Sequence, residues 1–397
     1  MRSADPISSR VSQRATSVHQ AGGDQRFSHA IRAEFPLVIV LGTVAVFYLL
    51  LGAKRVEDTS HPLWLVLMLV WLFAAILWSA RCVVRHADSL AIKFGEPCGT
   101  LILTGSAVAM EMMVISTAML HGEDNPTLGR DMIFAVVMIA LNGFVGLCLL
   151  LGGLRHREQR YNLQGVNAYL NVTMALTVLG LVLPDFTTST AGATLSALQG
   201  LFLALMAIVL YAIFLIIQTT LHRQYFAEIE EKALEAAAGN SHHHLPIRST
   251  GYHAVLLLVY LSAVILLAEK FAVPLDNSME QFGVPDALGG AVVATLVLVP
   301  EGLGAIAASL RNQMQRAINI LLGSVLATIG MTIPAVVTIS LITGRPITLG
   351  VHGGNLPLLL LTLGASVVTF ASGRTNVLQG CVHLLLFAVF VLLIFAP

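Results

Sequence analysis

Residues 287–310 read ALGGAVVATLVLVPEGLGAIAASL. An apolar run of about twenty residues is the length a helix needs to cross a bilayer. This one carries a single ionisable group, Glu301. A charged side chain at bilayer depth costs roughly 3 kcal/mol or more, and such residues line ion or proton pathways. Pro300 has no amide hydrogen, so the carbonyl of Leu296, four residues earlier, loses its intrahelical donor. Gly302 and Gly304 let neighbouring backbone or water come close. A carboxylate beside an uncapped carbonyl suits a hard cation such as Ca²⁺ or Na⁺, which takes oxygen ligands.

Similar runs recur along the chain, at about 35–52, 63–83, 97–120, 132–153, 167–184, 193–221, 252–271, 287–310, 317–342, 356–371 and 376–396. The fold class is therefore an all-α integral membrane protein of about eleven transmembrane helices. Its 397 residues are 56% hydrophobic and only 11% charged, where a soluble domain carries about 25% charged residues. Zero net charge gives no reason to expect a nucleic-acid partner; the expected partners are the lipid bilayer and the transported ions, and the sequence leaves a homo-oligomer open. Cys82, Cys98, Cys148 and Cys381 are far apart and form no CxxC pair, so neither a disulfide framework nor a zinc site is expected. No cofactor is implied.

Residues 1–34, with Arg2, Arg10, Arg14, Arg26 and Arg32, read as a disordered cytoplasmic arm. The apolar core starts only at Phe35, so the first helix, with its loop covering 35–62, is expected to stay as an anchor. With the N-terminus in the cytoplasm, all Lys and Arg except Lys54, Arg55, Arg130, Lys270 and Arg345 fall on the inner side, as the positive-inside rule requires. The 222–251 connection then lies inside. It holds Glu228, Glu230, Glu231 and Glu235 among alanines, an exposed acidic helix, and then His242, His243 and His244. A solvated linker is favoured over a metal site there, because a histidine run is a compositional cue; a regulatory loop is the functional alternative.

That connection divides the chain into five spans at 63–221 and five at 252–397. Equivalent helices of two five-span units cross in opposite directions, the mark of inverted-topology repeats with a midplane binding site. Gly99 precedes Glu111 by the same interval as Gly289 precedes Glu301, so both glutamates belong at equivalent depth. A glutamate that is always protonated in a helix contact is the plain alternative, and it is harder to sustain for a matched pair. Further candidate ligands are Ser324 and Thr328 on the helix after Glu301, with Asn142 and Ser116 in the first half. Small-residue helix packing accounts equally well for either hydroxyl of Ser324 and Thr328 taken alone. Asp88 and Glu96 read as helix-terminal charges at the mouth of the third span, His383 as a satisfied core histidine, and Glu269 with Lys270 as an interfacial pair at a helix end.

The stretches VRHAD at 84–88, GEP at 95–97, PEGLGA at 300–305, RNQ at 311–313, GSVLAT at 323–328 and SGRTN at 372–376 resemble the cation/calcium exchanger superfamily. Within it the chain is similar to bacterial calcium (sodium, potassium)/proton antiporters of the ChaA type, over roughly 63–396. The resemblance implies that Glu111 and Glu301 bind cation and proton in turn, with Ser324 on the family's glycine–serine motif. It implies a bacterial inner-membrane location and transport of Ca²⁺, Na⁺ or K⁺ against H⁺. Two departures bear on the ion: Val299-Pro300 replaces the family's Gly-Asn ahead of Glu301, and Ala327 replaces a glutamine. With fewer oxygen ligands, a Na⁺/H⁺ or K⁺/H⁺ antiporter with little Ca²⁺ activity is the alternative. An intramembrane enzyme is a remote one, since the spans hold no HExxH or grouped serine and histidine.

Overall fold

The computed structural model describes residues 34–50, 61–95, 98–121, 126–190, 192, 194–227, 249–285, 287–344 and 347–396. The loop residues Glu228, Glu230, Glu231, His242, His243 and His244, and the Glu96-Pro97 pair, lie outside them. The described residues form eleven helical rods. They are α1 (Phe35–Ala45, continued as a π turn at Val46–Leu50), α2 (Pro62–Phe94) and α3 (Cys98–His121). Then come α4 (Leu128–Met138, a π segment Ile139–Phe144, and Val145–His156), α5 (Leu163–Thr177, π at Val178–Val182) and α6 (Ala197–Ile216, π at Ile217–Leu221). The remainder are α7 (Thr250–Phe282), α8 (Ala287–Leu310), α9 (Met314–Thr343), α10 (Asn355–Phe370) and α11 (Val377–Phe395). Eight are long and apolar enough to cross a membrane, and α1, α3 and α10 contain shorter apolar stretches.

Local sequence sets where these rods start. Ser196 with Gln199 and Asn376 with Gln379 form reciprocal capping boxes at α6 and α11, each satisfying free amides of the first turn. Pro62 opens α2, where a missing amide costs nothing. At the far end of α9, Gly344 adopts φ 69°, the left-handed turn that glycine makes without strain.

Two expected spans are longer than their hydropathy suggests. α2 runs on to Phe94 and α7 to Phe282, so Asp88 lies within α2, not in a connection. Glu269 and Lys270 lie well inside α7, not at its end. Charged residues of this kind do not end a helix, and Glu269 and Lys270 are partnered. Lys270 Nζ is 3.1 Å from Glu269 Oε1 and 4.4 Å from the centre of the Tyr48 ring, while Tyr48 donates to Glu269 Oε2 at 3.0 Å.

Buried apolar side chains divide into two main packing units. One joins α1, α2, α3 and α7 through Leu72, Ile76, Val114, Tyr260 and Val264. The other joins α4, α5, α6, α9, α10 and α11 through Ile133, Leu141, Tyr169, Leu322, Val325 and Phe370. α4 and α8 belong to both, with Leu128, Met132, Val293, Leu296 and Val297 in the first unit and Ile133, Leu141, Ala291, Ala294, Leu298 and Ala305 in the second.

Side-chain contacts fix how the rods run. α2 and α7 cross antiparallel, with Ser79 bonded to the Tyr260 carbonyl at 3.1 Å and His86 to His253 at 3.0 Å. α8 runs in the same sense as α4: Gly290 lies on the backbone of Asp131, Gly302 on the Phe144 ring, and Ser309 donates to the Cys148 carbonyl at 2.6 Å. A side chain at Gly290 would meet the Asp131 carbonyl carbon at 2.9 Å, so glycine there permits the close approach. α3 runs in the same sense as α9, since Met119 and Val336 meet at Gly129 and Glu111 meets Thr328.

Candidate functional site

The seam between the two packing units holds both glutamates. On α3, Met110 and Val114 face the first unit, and Glu111, 3% exposed, turns to α9. On α8, Glu301 is partly buried, and Gly304 and Ala307 continue an accessible stripe at helical spacing. One helix supplies polar groups to both. Ser324 donates to Glu301 Oε2 at 2.8 Å, and Thr328 donates to Glu111 Oε1. These hydroxyls are four residues apart and therefore share one face of α9.

The charges decide what this arrangement can do. The two carboxylates are close enough to repel when both are ionised. Among the described residues no Lys, Arg or His forms an ion pair with either. The compensating positive charge must come from a proton or from a bound cation. Thr328 Oγ1 also lies 2.9 Å from the Ser324 carbonyl. A hydroxyl has one hydrogen and two lone pairs. Thr328 can therefore donate to ionised Glu111, or accept from protonated Glu111 while donating to Ser324. The same partner serves both protonation states.

The other sequence candidates are placed as follows. Leu296 is buried one turn before Pro300, so its carbonyl lacks the Pro300 amide. Ser116 is partly buried on α3, five residues past Glu111, and makes no hydrogen bond to it among the described residues. Asn142 sits in the π segment of α4 two residues before Phe144, whose ring rests on Gly302. Two residues along a helix is about half a turn, so the Asn142 amide faces away from α8. Its nitrogen donates to Thr362 at 2.8 Å and its oxygen meets His383 Nδ1 at 3.1 Å. His383 Nε2 is 3.0 Å from the Thr369 hydroxyl. The Asn142 oxygen only accepts, so His383 carries its hydrogen on Nδ1 and accepts from Thr369 on Nε2. Both ring nitrogens are satisfied, as a core histidine requires.

Two aromatic residues that sequence reasoning passed over stand near the glutamates. Tyr211 of α6 packs on Gly330, two residues past Thr328 on α9. Tyr169 of α5 stands by Gly323 and accepts from Gln218 at 2.8 Å. The available signal was a tyrosine within a membrane span.

Comparison with known proteins gives the family and the fold. The sodium/calcium exchanger protein family model matches residues 64–220 and 252–396. The putative ionic transporter y4hA of Sinorhizobium fredii is 44% identical over 315 residues, covering 79% of this chain and 84% of that protein. The sodium-potassium/proton antiporter ChaA of Escherichia coli is 40% identical over 322 residues, covering 81% and 87%. Among solved structures, native YfkE superposes with a TM-score of 0.68 at 18% identity, over 91% of this chain and all (100%) of that one. The H⁺/Ca²⁺ exchanger CAX gives 0.65 at 15% identity, over 92% and 88%.

Proposed function

This chain belongs to the sodium/calcium exchanger family, and from that premise we propose that it is a secondary active antiporter exchanging Ca²⁺, Na⁺ or K⁺ for H⁺. It is a transporter of the bacterial cytoplasmic membrane. The observation that carries the reading is the pair Glu111 and Glu301, bonded to one face of α9 and lacking any protein cation as counter-charge among the described residues. A carboxylate must lose its proton to ligate a metal ion, so cation and proton compete for the same oxygens. Charge balance then couples roughly two protons to one divalent ion, or about one proton to one monovalent ion.

The inverted repeat is the second element of the proposal. Its units are 63–221 and 252–397, following the arm 1–34, the helix and loop 35–62, and separated by the loop 222–251. Support comes from the matched spacing of Gly99 to Glu111 and Gly289 to Glu301. It also comes from helix directions: α3 runs with α9, which reverses on α8 through the turn at 311–313, so α3 and α8 are opposed. Alternating access then amounts to movement of one packing unit against the other, with the glutamates at the seam. The N-terminus is cytoplasmic in this reading, supported by the distribution of Lys and Arg.

Na⁺/H⁺ or K⁺/H⁺ exchange with little Ca²⁺ activity remains the second reading. It is favoured by the orientation of Asn142 away from α8 and by Ala327, which leave fewer oxygens than the six to eight, about, that Ca²⁺ takes. The test is purified protein in liposomes carrying a pH-sensitive dye, challenged separately with Ca²⁺, Na⁺ and K⁺. Each transported ion collapses an imposed pH gradient; a gradient that no cation collapses contradicts antiport.

A further inference from the structure

Residues 324, 328 and 332 of α9 are Ser, Thr and Thr, one hydroxyl at each turn of a single helix face. The first two serve the carboxylates: Ser324 donates to Glu301 and Thr328 to Glu111. Thr332 is fully buried, at 0% exposure, and its hydroxyl has no hydrogen-bond partner among the described residues. A threonine within a helix can bond the carbonyl four residues back. Thr328 lies 2.9 Å from that of Ser324, but Thr332 makes no such bond. A buried hydroxyl left in this way carries an uncompensated desolvation cost.

The packing of α3 shows what Thr332 faces. α3 and α9 run in the same sense, with Glu111 on Thr328, and with Met119 and Val336 meeting at Gly129. Both intervals are eight residues, so Thr332 stands midway along this contact, level with Ile115. Ile115 is 1% exposed and its side chain offers nothing to a hydroxyl. A displacement of α3 by one turn along α9, about 6 Å for four residues, moves Glu111 from Thr328 to Thr332. It also brings Ile115 to Val336, apolar against apolar, and the small Ala107 to Thr328. Hydrogen bonding survives the change: Thr332 gains Glu111, and Thr328 keeps the Ser324 carbonyl. The opposite displacement is closed, because it carries Glu111 to Ser324, which already holds Glu301. The contact therefore has two registers, and neither leaves Glu111 without a hydroxyl. Packed elements switch between such discrete registers by one-turn jumps.

We propose that Thr332 is the second station of Glu111: during transport α3 moves one turn along α9, and the carboxylate passes from the Thr328 hydroxyl to that of Thr332. α3 packs in the first unit and α9 in the second, so this change of register is the local form of the movement between them. Thr332 acts through Glu111 and is a positioning residue.

This step rests on the antiport reading, and a transport-free measurement separates the two. Valine has the shape of threonine with a methyl in place of the hydroxyl, so Thr332→Val removes the second station together with an unpaired buried polar group. In the full chain in liposomes, its maximal exchange rate at saturating cation should fall about tenfold or more, as expected for a lost hydrogen bond to a charged group. Its thermal midpoint should equal or exceed that of wild type, whereas loss of a merely structural hydroxyl lowers it. Thr332→Ser keeps the hydroxyl and should recover most of the rate. A wild-type rate in Thr332→Val, equal losses in the Val and Ser variants, or a lowered thermal midpoint in Thr332→Val overturns the proposal. The transport-free measurement uses Cys98, exposed at the start of α3, in protein whose other three cysteines are replaced by Ala. Loading the site shifts the balance of registers. Labelling of Cys98 by a water-soluble maleimide at fixed pH should therefore change when saturating Ca²⁺, Na⁺ or K⁺ is added, and the change should vanish in Thr332→Val. Labelling indifferent to all three cations in wild type, or a response undiminished in Thr332→Val, overturns the proposal. Wild type that shows the labelling change but exchanges no protons overturns the antiport reading instead.

Discussion

Ser324 and Thr328 stand one turn apart on α9 and donate to different carboxylates, Ser324 to Glu301 and Thr328 to Glu111. A single helix of the second half thus reads the charge state of an acid from each half. The site is a unit of four side chains on three helices, and its parts should fail in a coupled way.

Replacing Ser324 or Thr328 by Ala removes one hydrogen bond from a carboxylate at the seam. Hydrogen bonds to charged groups are worth about 1.5–3 kcal/mol. Each variant should insert normally and show an apparent cation affinity reduced by roughly tenfold to a hundredfold, read from the half-saturating concentration for exchange. The two effects are expected to be non-additive, because both hydroxyls lie on one helix face. Wild-type affinity in Thr328→Ala would show that its contact with Glu111 has no part in binding.

The pH dependence has a definite sign. The cation binds only where a carboxylate has released its proton, so acidification must weaken binding. For each proton displaced, apparent affinity should fall about tenfold per pH unit below the carboxylate titration. A plot of the logarithm of the half-saturating concentration against pH gives the number of protons displaced as the magnitude of its slope. An affinity independent of pH would mean that proton and cation do not share the site.

Packing beside the site is equally testable. Gly302 lies directly on the Phe144 ring. A methyl group there forces the ring or α8 to move, which costs about 1–3 kcal/mol in a packed interior. Gly302→Ala should lower the thermal midpoint of the solubilised protein and impair exchange. Adding Phe144→Leu should recover part of both. Full stability and activity in Gly302→Ala alone would show that α8 is not held at this contact.

Much of this was legible because hydrophobicity alone reports a helix that lies in lipid. The eleven apolar runs could be read directly, and a glutamate inside such a run stands out. Partner choice was not legible. Nothing in GSVLAT says that Thr328 serves the glutamate of the other half, because that depends on α3 lying alongside α9. Asn142 reads as a ligand from its depth, yet half a helical turn separates it from Phe144, and Thr362 and His383 take its amide. The ends of α2 and α7 were hidden for another reason. Hydropathy falls at Arg85 and Glu269, yet both helices continue, because Arg, Glu and Lys are good helix formers; Arg85 bonds Glu34, and Glu269 bonds Tyr48 and Lys270. The π segments of α1, α4, α5 and α6 left no trace in the residue pattern.

The central claim is that Glu111 and Glu301 bind cation and proton in turn. Its most direct measurement is cation-dependent proton movement in inverted membrane vesicles carrying Glu111→Gln or Glu301→Gln. Glutamine keeps the size and a hydrogen-bonding oxygen but can neither ionise nor carry the proton. Each variant should reach the membrane at wild-type levels and exchange no proton for Ca²⁺, Na⁺ or K⁺ at any pH. Undiminished exchange in Glu301→Gln would contradict it.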